Sequence, residues 1–522
     1  VNVLPRGNDI VNLRIAGNTI ENISVGDSSG RSEARGISIG TQFENTSDGS
    51  RGNFGQAIGL TVENNNISNL ESDFTRAIAL FEDKKGAAKT SDKPVGPVNF
   101  TIIGNNISGV NSEANFFDAA IFIGEYGNFG NGHIVQNNNF TGATVQNFND
   151  SDALNTTGNT FSGDPKGDIH YTAADADVDS IINSNTFNRR VTIRDASGNV
   201  TGDTIFAGIQ PAIDGVPPAV NAISSGETVV VGPGIYSGNL TIDTANITLK
   251  SAADADNTEI QYGGNDRNPT INIAASDVTV DNFTIERING DKNSQGVAIR
   301  ATEDVTVENN IITQSGDASQ PVQGILVTDN NGDRSVTTDT VIGGNEISGF
   351  DHGIAISTQN TTSGGISGAF IDDNTIQNNV IGIKISDFND TDEEISATVT
   401  GNEISSNEDG IRVLDDSDAG PAGTEPEGSA NLSGFVVERN NIVDNTNSGI
   451  THEASADDNS IDASLNWWGN ASGPNADSAN DVEDDGTPGE ELVAHDPFLT
   501  APIEDIEVDD VGETQRFAQD IS

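Results

Sequence analysis

Two short apolar phrases recur along the chain in a fixed order. The first reads Asn-x-Ile and the second reads Gly-Ile-x-Ile or a close variant, and the pair occurs at 345–356, 374–385 and 402–413. Within each phrase apolar and polar residues alternate, which is the period of a β-strand. A repeat of this length with short apolar runs cannot bury its apolar side alone, so it must stack on its neighbours. The pattern therefore predicts an all-β parallel β-helix solenoid.

The same phrase is already present near the start of the chain, but its spacing there is irregular. Long insertions are predicted at 40–56 and 83–97, and further interruptions fall at 112–130, 387–394 and 415–431. Because the repeated residues build the scaffold, we expect function at the interruptions. The 83–97 stretch holds lysines that stand out in an acidic chain, and we predict that it contacts another copy of the protein through Lys84, Lys85, Lys89 and Lys93.

The strand pattern lapses near 190–204, and a helical pattern follows it. Thr204 is a candidate N-cap, and apolar residues then fall near helical spacing at Phe206, Ile209, Ile213, Val216, Val220 and Ile223. Pro217 and Pro218 must interrupt a helix. The pattern predicts a short amphipathic helical cap near 204–224, formed by one helix and a loop or by two short helices.

These boundaries predict four parts. They are an N-terminal β-helix segment with long insertions, a connector with the capping helix, a second β-helix segment, and an acidic tail or the root of a further domain. Their ranges are 1–190, 191–225, 226–500 and 501–522.

Two motifs resemble those of a known class of proteins. Residues 226–236 read GETVVVGPGIY, and the far end carries NWWG at 466–469, GP at 473–474 and PFL at 497–499. Both resemble the opening and closing elements of secreted right-handed parallel β-helix proteins of the pectin-lyase-like class. The resemblance covers about 200–500 and implies a right-handed coil whose first turn is covered by a helix. Pro217-Pro218 departs from the continuous helix of that class.

The charge of the chain limits the environments and binding partners that the protein can have. Eighty acidic residues against 24 basic ones give a formal net charge of −56. Such a charge repels nucleic acid and anionic membranes, and it favours a salt-loving microbe over a calcium-rich extracellular setting. The chain has no Cys, and it contains no apolar run long enough to span a bilayer. It also lacks Met, so we expect a mature exported chain, secreted or displayed on a cell or virion surface.

Asparagine precedes the apolar residue of nearly every repeat. Stacked Asn amides can hydrogen-bond along a solenoid, so the Asn-x-Ser/Thr sequons within repeats, at Asn22, Asn66, Asn106 and Asn139, are expected to form ladders that cannot carry a glycan. Sequons in the predicted insertions are glycosylation candidates instead. They lie at Asn45, Asn149, Asn360, Asn389 and Asn431.

Candidate catalytic and metal-binding residues are weakly marked. The pair Asp372-Asp373 is one of several adjacent acids, and His352 is expected at a solvated corner. Calcium is the one cofactor that the sequence suggests, because two oxygen-rich turns contain Gly, although solvated acidic turns are an equally simple interpretation. Their candidate ligands are Asp329 and Asp333 in one turn and Asp481, Glu483 and Asp485 in the other.

These observations predict a non-catalytic structural or adhesive rod of a salt-loving microbe, as a cell-surface, filament or virion-fibre component. Its expected partners are other copies of itself, other surface or virion proteins, or carbohydrate, without nucleic acid and without membrane insertion. Two alternatives stay open. One is a polysaccharide lyase or glycoside hydrolase, which the pectin-lyase-like resemblance implies, and the other is a tailspike-like receptor-binding protein of a virus.

Overall fold

A computed structural model shows the fold. It describes residues 1–3, 10–24, 33–41, 57–72, 74–82, 99–112, 119–124, 133–142, 145–147, 154–162, 169–173, 177–202, 204–215, 222–264, 266–288, 294–300, 302–316, 322–329, 336–358, 365–387, 394–415, 431–453, 460–475, 481–484 and 492–503. Most of the predicted insertions, and most of the predicted tail, lie outside these residues.

The N-terminal β-helix has three strands in each coil, and equivalent strands stack in parallel. The first strands are Arg14–Ala16, Thr61–Glu63, Thr101–Ile103, Ile134–Gln136 and Asn155–Thr157. The second strands are Thr19–Ser24, Asn66–Ser72, Asn106–Ser112, Asn139–Thr141, Thr160–Ser162 and Thr186–Phe187. The third strands are Asn2–Val3, Glu33–Thr41, Phe74–Glu82, Ala119–Ile123, Val145–Asn147 and Ile169–Ala173. A short pair, Ile10–Val11 with Ala57–Ile58, and the helix α1 (Val178–Ser184) complete this part.

The C-terminal β-helix repeats the same plan over more coils. Its first strands are Thr228–Val231, Ile247–Ser251, Val278–Asp281, Thr306–Glu308, Val341–Gly343 beside Thr337–Thr338, Ile366–Asp372, Glu394–Thr400, Asn431–Glu438, Ile461–Asp462 and Val493–Ala494. The second strands are Gly234–Ser237, Thr258–Tyr262 after the short 3-10 helix Ala255–Asn257, Thr284–Ile288, Ile311–Ser315, Glu346–Ser348, Thr375–Gln377, Glu403–Ser405 and Asn441–Val443. The third strands are Leu240–Ile242, Ile271–Ile273, Ser294–Arg300, Val322–Thr328, His352–Thr358, Ile381–Asp387, Asp409–Asp415, Ser448–His452 and Val482–Asp484. The predicted all-β parallel β-helix is confirmed.

The two β-helices meet in one continuous sheet. The strand Thr204–Phe206 pairs antiparallel with Ile169–Ala173 on one side and with Val191–Arg194 on the other. Val191–Arg194 in turn pairs antiparallel with Thr228–Val231, the first strand of the C-terminal β-helix. Ile205 belongs to the N-terminal core and Phe206 to the C-terminal core, so the two cores lie on opposite faces of this sheet. The first strands of the C-terminal β-helix run opposite to the third strands of the N-terminal one, and its core lies on the opposite face of the sheet. Reversing both the strand direction and the core side leaves the sense of winding unchanged, so the two coils have the same hand.

The helical cap is shorter than the sequence suggests. The helix α2 (Ile209–Asp214) begins after Gly208 and buries Ile209, Ala212 and Ile213 against the C-terminal core. The prediction of Thr204 as an N-cap was wrong, because Thr204 lies in the strand that joins the two cores and tertiary pairing overrides its helical context. Residues 216–221, with both prolines, lie outside the described residues. The four-part division of the chain stays a prediction.

The far end of the C-terminal core is closed by the residues of the NWWG and PFL motifs. Trp468 is 1 % exposed and belongs to the core, and Phe498 packs against it. Asn466 is the last member of an asparagine ladder. Within the described residues, no helix is both long enough and apolar enough to span a bilayer.

Buried asparagine ladders hold the corners of both coils. Asn374 shows the pattern, because its Oδ1 accepts both the backbone N–H and the side-chain N–H of Asn345 at 2.9 Å, while its Nδ2 donates to the Ile342 carbonyl at 2.8 Å. The ladders between first and second strands contain Asn18, Asn65, Asn105, Asn138, Asn159 and Asn185 in the N-terminal β-helix, and Asn310, Asn345, Asn374, Asn402, Asn440 and Asn466 in the other. Each amide satisfies backbone groups that the corner would otherwise leave unpaired.

Substitution of Asn105 and of its neighbour Asn106 is expected to separate the buried ladder from the surface. Asn105→Ala removes the acceptor of two buried donors of Asn65, which costs about 3 kcal/mol of unfolding free energy. Asn106 is exposed, and Asn106→Ala should cost less than about 0.5 kcal/mol. Urea denaturation of the two variants side by side tests this, and equal losses would contradict it.

The glycine of the Gly-Ile-x-Ile phrase is required by the stacking itself. A Cβ on Gly382 would lie 2.5 Å from the carbonyl oxygen of Gly410 in the next coil and 3.2 Å from Ile404 of the core. Corresponding glycines, Gly296, Gly324, Gly353 and Gly410, meet the same kind of obstruction. Alanine cannot fit without displacing the adjacent strand.

Gly382→Ala is therefore expected to destabilise the fold by about 2 kcal/mol through overpacking. Gly343→Ala is the matched control, because Gly343 also lies in a strand and a Cβ there would meet nothing closer than 3.7 Å. Thermal unfolding of both variants measures the difference. A Gly382→Ala protein as stable as the control would show that the coils can shift to admit the methyl group.

Candidate functional site

The side of the C-terminal third strands that points away from the core carries a set of titratable groups that includes His352, Lys384 and Arg412. In His352–Thr358, Ile354 and Ile356 belong to the core, so Ala355 between them faces outward. The Cβ position of Gly353 lies 3.0 Å from Ile376 of the core, which leaves His352 on the outer side as well. We call the side of the sheet that points away from the core, from Ser294–Arg300 to Ser448–His452, the third-strand face. Most of its residues are buried, whereas Lys384 and Arg412 are half-buried.

Stacking places equivalent residues of this face in two rows along the rod. The row before the glycine contains Gln295, Gln323, His352, Ile381, Asp409 and Ser448. The row after the first core residue contains Ala298, Leu326, Ala355, Lys384, Arg412 and Thr451. Neighbouring members of a row lie about 4.8 Å apart. Residues more than 100 positions apart in sequence therefore share one surface.

His352 begins its strand and is held neutral by its surroundings. Burial, together with the positive charges of Lys384 and Arg412, lowers the pKa of His352 to about 3. Its Nδ1 is buried and has no hydrogen-bond partner among the described residues. The expectation that His352 lies at a solvated corner was wrong, because the stacked coils partly bury its side chain in a strand. The same stacking brings the charges of Lys384 and Arg412 near it.

Arg412 is fixed by carboxylates on its own coil and on the next. Its Nη1 donates to Asp409 Oδ2 at 3.1 Å, and its Nη2 donates to Glu453. Asp409 is 6 % exposed and also accepts the Ser448 hydroxyl at 3.2 Å. The guanidinium therefore has a set orientation beside the neutral imidazole.

Other cations lie on the same kind of surface. Arg300 donates to Asn272 Oδ1 at 3.0 Å and to Gln295 Oε1 at 3.4 Å, and burial lowers its pKa. On the N-terminal third strands, Arg76 pairs with Glu33 at 2.7 Å and lies 3.7 Å from the ring centroid of Phe122. Burial also lowers the pKa of Arg76. The third strands thus collect cations in both β-helices.

The pair Asp372-Asp373 does not join this face. Asp372 ends a first strand, on a different sheet from His352. Burial raises the pKa of Asp372 to about 6, with a further contribution from the negative charge of Asp373. The structure does not bring this pair and His352 together.

The predicted calcium turns are only partly described. Asp329 is fully buried at the end of Val322–Thr328, and Asp481 and the exposed Glu483 lie at Val482–Asp484. Asp333 and Asp485 lie outside the described residues. In the part of the chain that the structure covers, no group of three or more His, Asp or Glu side chains is arranged to hold a metal. Calcium binding stays a prediction.

The remaining predicted sites also lie mostly outside the described residues. This applies to Lys84, Lys85, Lys89 and Lys93, and to Asn45, Asn149, Asn360 and Asn389. Asn431 starts a first strand, Asn431–Glu438. The sequence reasoning missed the third-strand face, although the outward positions of the Gly-Ile-x-Ile phrase, with Lys384 and Arg412 in consecutive copies, carried a signal for it.

The described residues thus form two parallel β-helices, and the third strands of both carry cations. A model of the family described as NosD, periplasmic copper-binding protein, matches residues 220–420, which is less than half of the chain. No curated protein matches the sequence.

Several solved structures are similar at low identity. ORF18 of Geobacillus virus E2 has a TM-score of 0.29 at 13 % identity and covers 52 % of this chain. The present chain spans only 54 % of that viral protein. A mutant of the periplasmic alginate epimerase AlgG has a TM-score of 0.27 at 14 % identity, covering 59 % of this chain and 92 % of its own. The A-module of the Azotobacter vinelandii mannuronan C-5 epimerase AlgE6 has 0.23 at 16 %, covering 57 % and 95 %. Such values transfer no activity to this chain.

Removal of His352 is expected to flatten the pH dependence of stability. A free histidine has a pKa near 6.5, and the native pKa of His352 is about 3, so below pH 6.5 the unfolded chain takes up a proton that the native protein refuses. Between pH 7 and pH 5 the wild-type protein should therefore lose about 2 kcal/mol of unfolding free energy because of His352. His352→Gln should not show this loss. Urea denaturation at both pH values tests this, and parallel losses in the two proteins would contradict the assignment.

Proposed function

We propose that this protein is an extracellular, non-catalytic β-helical rod of a salt-loving microbe. Its third-strand face binds an acidic polymer, and the ligand class is a carboxylated polysaccharide. The observation that carries the proposal is the gathering of Arg300, Lys384 and Arg412 on one face of a chain with a net charge of −56. An acidic ligand would be repelled by most of such a surface, so local cations decide where it can bind.

The partial burial of these cations supports binding in concentrated salt. Exposed charges are screened within a few ångströms at molar ionic strength, whereas partly buried charges are screened much less. Arg412 is about one-third exposed and is already oriented by Asp409 and Glu453. Lys384 and Arg412 lie on neighbouring coils, and Arg300 lies three coils before Lys384 on the same side of the sheet. Cations distributed along the rod in this way suit an extended polymer with repeated carboxylates better than a small anion.

The state of His352 supports binding rather than proton transfer. A general base works best when its pKa is near the operating pH, and a pKa of about 3 makes His352 a weak base at neutral pH. Asp409 is occupied by Arg412 and Ser448, so it is not poised as one of the two carboxylates that glycoside hydrolysis needs. A neutral imidazole can still hydrogen-bond a sugar hydroxyl.

The joint between the two β-helices supports a mechanical role. The sheet continues through Val191–Arg194 and Thr204–Phe206, and the latter strand is buried on both sides. A rod with a continuous sheet holds its binding face at a fixed distance from its attachment. Cell-surface, filament and virion-fibre components all need such a spacer, and we propose self-contacts through Lys84, Lys85, Lys89 and Lys93 as the route to assembly.

The matched family's description concerns periplasmic proteins, which supports export of this chain. The copper binding named in that description does not fit the residues present. The chain has no Cys and no Met, and His352 is the single histidine within the matched range. Soft thiolate, thioether and clustered imidazole ligands that copper prefers are therefore missing from the matched residues.

Binding of carboxylated polymers tests the proposal directly. The protein should bind alginate and polygalacturonate but not neutral dextran. Calorimetry measures this at about 0.15 M and about 2 M salt, between which the distance over which charges are screened becomes much shorter. The double variant Lys384→Met and Arg412→Met should lose at least about tenfold in affinity, equal to about 1.4 kcal/mol. Arg439→Met is the control, because Arg439 is exposed on the first-strand side and pairs with Glu438.

Three results would contradict the proposal. The first is no binding of either acidic polymer at any salt concentration, and the second is an equal loss of affinity in the Arg439→Met control. The third is release of unsaturated or shortened oligosaccharides from the acidic polymer, which would establish the lyase or hydrolase alternative.

A further inference from the structure

Three consecutive coils of the N-terminal β-helix present the same pair, an exposed Asn and an outward Ser or Thr that is half-buried at Ser68 and Ser108 and exposed at Thr141. The second strands place Asn66, Asn106 and Asn139 in one row. Ser68, Ser108 and Thr141 form the adjacent row. Between the two rows lie Ile67, Ile107 and Phe140, which are fully buried. The strand period therefore turns every Asn and its Ser or Thr partner to the outside.

The Asn residues of these pairs were expected to stand in a ladder, and the structure places them in one, but this ladder lies outside the buried one. The buried ladder is formed by the preceding residues Asn65, Asn105 and Asn138. Asn66, Asn106 and Asn139 are exposed and form an outer row of their own, in which Asn106 Nδ2 donates to Asn66 Oδ1 at 3.0 Å and Asn139 Nδ2 donates to Asn106 Oδ1 at 2.9 Å. Each contact uses one of the two N–H bonds of an amide.

We propose that Asn66, Asn106 and Asn139 are N-glycan acceptors of the exported protein. Each heads an Asn-x-Ser/Thr sequon without Pro, each amide is exposed, and the hydroxyl residue two positions on lies on the same side. The outer row does not oppose modification, since a glycosylated amide keeps one N–H to donate to its neighbour. This inference does not depend on ligand binding by the third-strand face.

The group transfer needs a glycosyl donor of the polyprenyl-phosphate-linked sugar class. The Asn Nδ2 attacks the anomeric carbon, and an N–C bond forms while the bond from that carbon to the phosphate oxygen breaks. The lipid-linked phosphate leaves with the electron pair, and the Nδ2 proton passes to a base of the transferase. No oxidation or reduction occurs.

The spacing of the coils limits how many acceptors can be occupied together. Neighbouring acceptors are one strand apart, about 4.8 Å, which is less than the width of a sugar ring with its hydration. Asn66 and Asn139 are two strands apart, at about twice that distance. We therefore expect at most two glycans on one molecule, at Asn66 and Asn139, or a single glycan at Asn106.

Mass spectrometry of the protein purified from its native host tests the inference. Glycopeptides that contain Asn66, Asn106 or Asn139 are expected, with no molecule that carries all three glycans. Unmodified Asn at all three positions would overturn the proposal, and a triply modified molecule would overturn the crowding limit.

A matched pair of variants at Ser108 separates the sequon from the ladder. Ser108→Ala removes the sequon of Asn106 but leaves its amide contacts unchanged, so modification of Asn106 should fall to background. Ser108→Thr keeps the sequon and should keep the modification. Expression of both in the native host supplies the comparison, and a glycan that persists on Asn106 in Ser108→Ala would also overturn the assignment.

Discussion

Stacking of equivalent positions at one strand spacing is the constraint on which the rest of this structure depends. A single coil has strands of two to nine residues and no separate core, so its isoleucines are buried only when the next coil lies on them. The constraint selects residues at the corners as well as in the core. Asn374 is needed because its amide links three coils, and Gly382 is needed because the Gly410 carbonyl occupies the space of a Cβ.

The strands that connect the two β-helices show how the stacking constraint is met where one coil ends and the other begins. The stack of N-terminal third strands ends at Ile169–Ala173, and the C-terminal coil begins on a first strand, Thr228–Val231, of the same sheet. Thr204–Phe206 serves both, since Ile205 completes one core and Phe206 enters the other. Neither β-helix exposes a sheet edge at this point, and exposed edges invite unwanted pairing. Hence a strand replaces the helix that the local sequence favours at Thr204.

Electrostatics gives the outer surfaces different characters. A net charge of −56 repels other anions at long range, so the few cations matter by their position rather than by their number. On the third-strand face, burial and then the charges of Lys384 and Arg412 lower the pKa of His352, and Asp409 holds Arg412 in place. The second strands of the N-terminal β-helix show a contrasting, uncharged surface with the exposed amide of Asn106 and the half-buried hydroxyl residue Ser108.

The sequence by itself determined the coil, because the alternation of Ile383 and Ile385 with polar residues and the return of Asn374 as Asn402 require a stacked strand. It also indicated the helix near Ile209 and Ile213, whose apolar spacing is local. Tertiary structure alone decided that Thr204 lies in a shared strand, that His352 lies beside Lys384 and Arg412, and that Asn106 rather than Asn105 faces solvent. Those outcomes depend on which coils are neighbours in the stack. They also depend on whether a residue lies at the corner between two strands or in the strand after it. Irregular insertions hide that register in the linear sequence, and only the stacked chain resolves it.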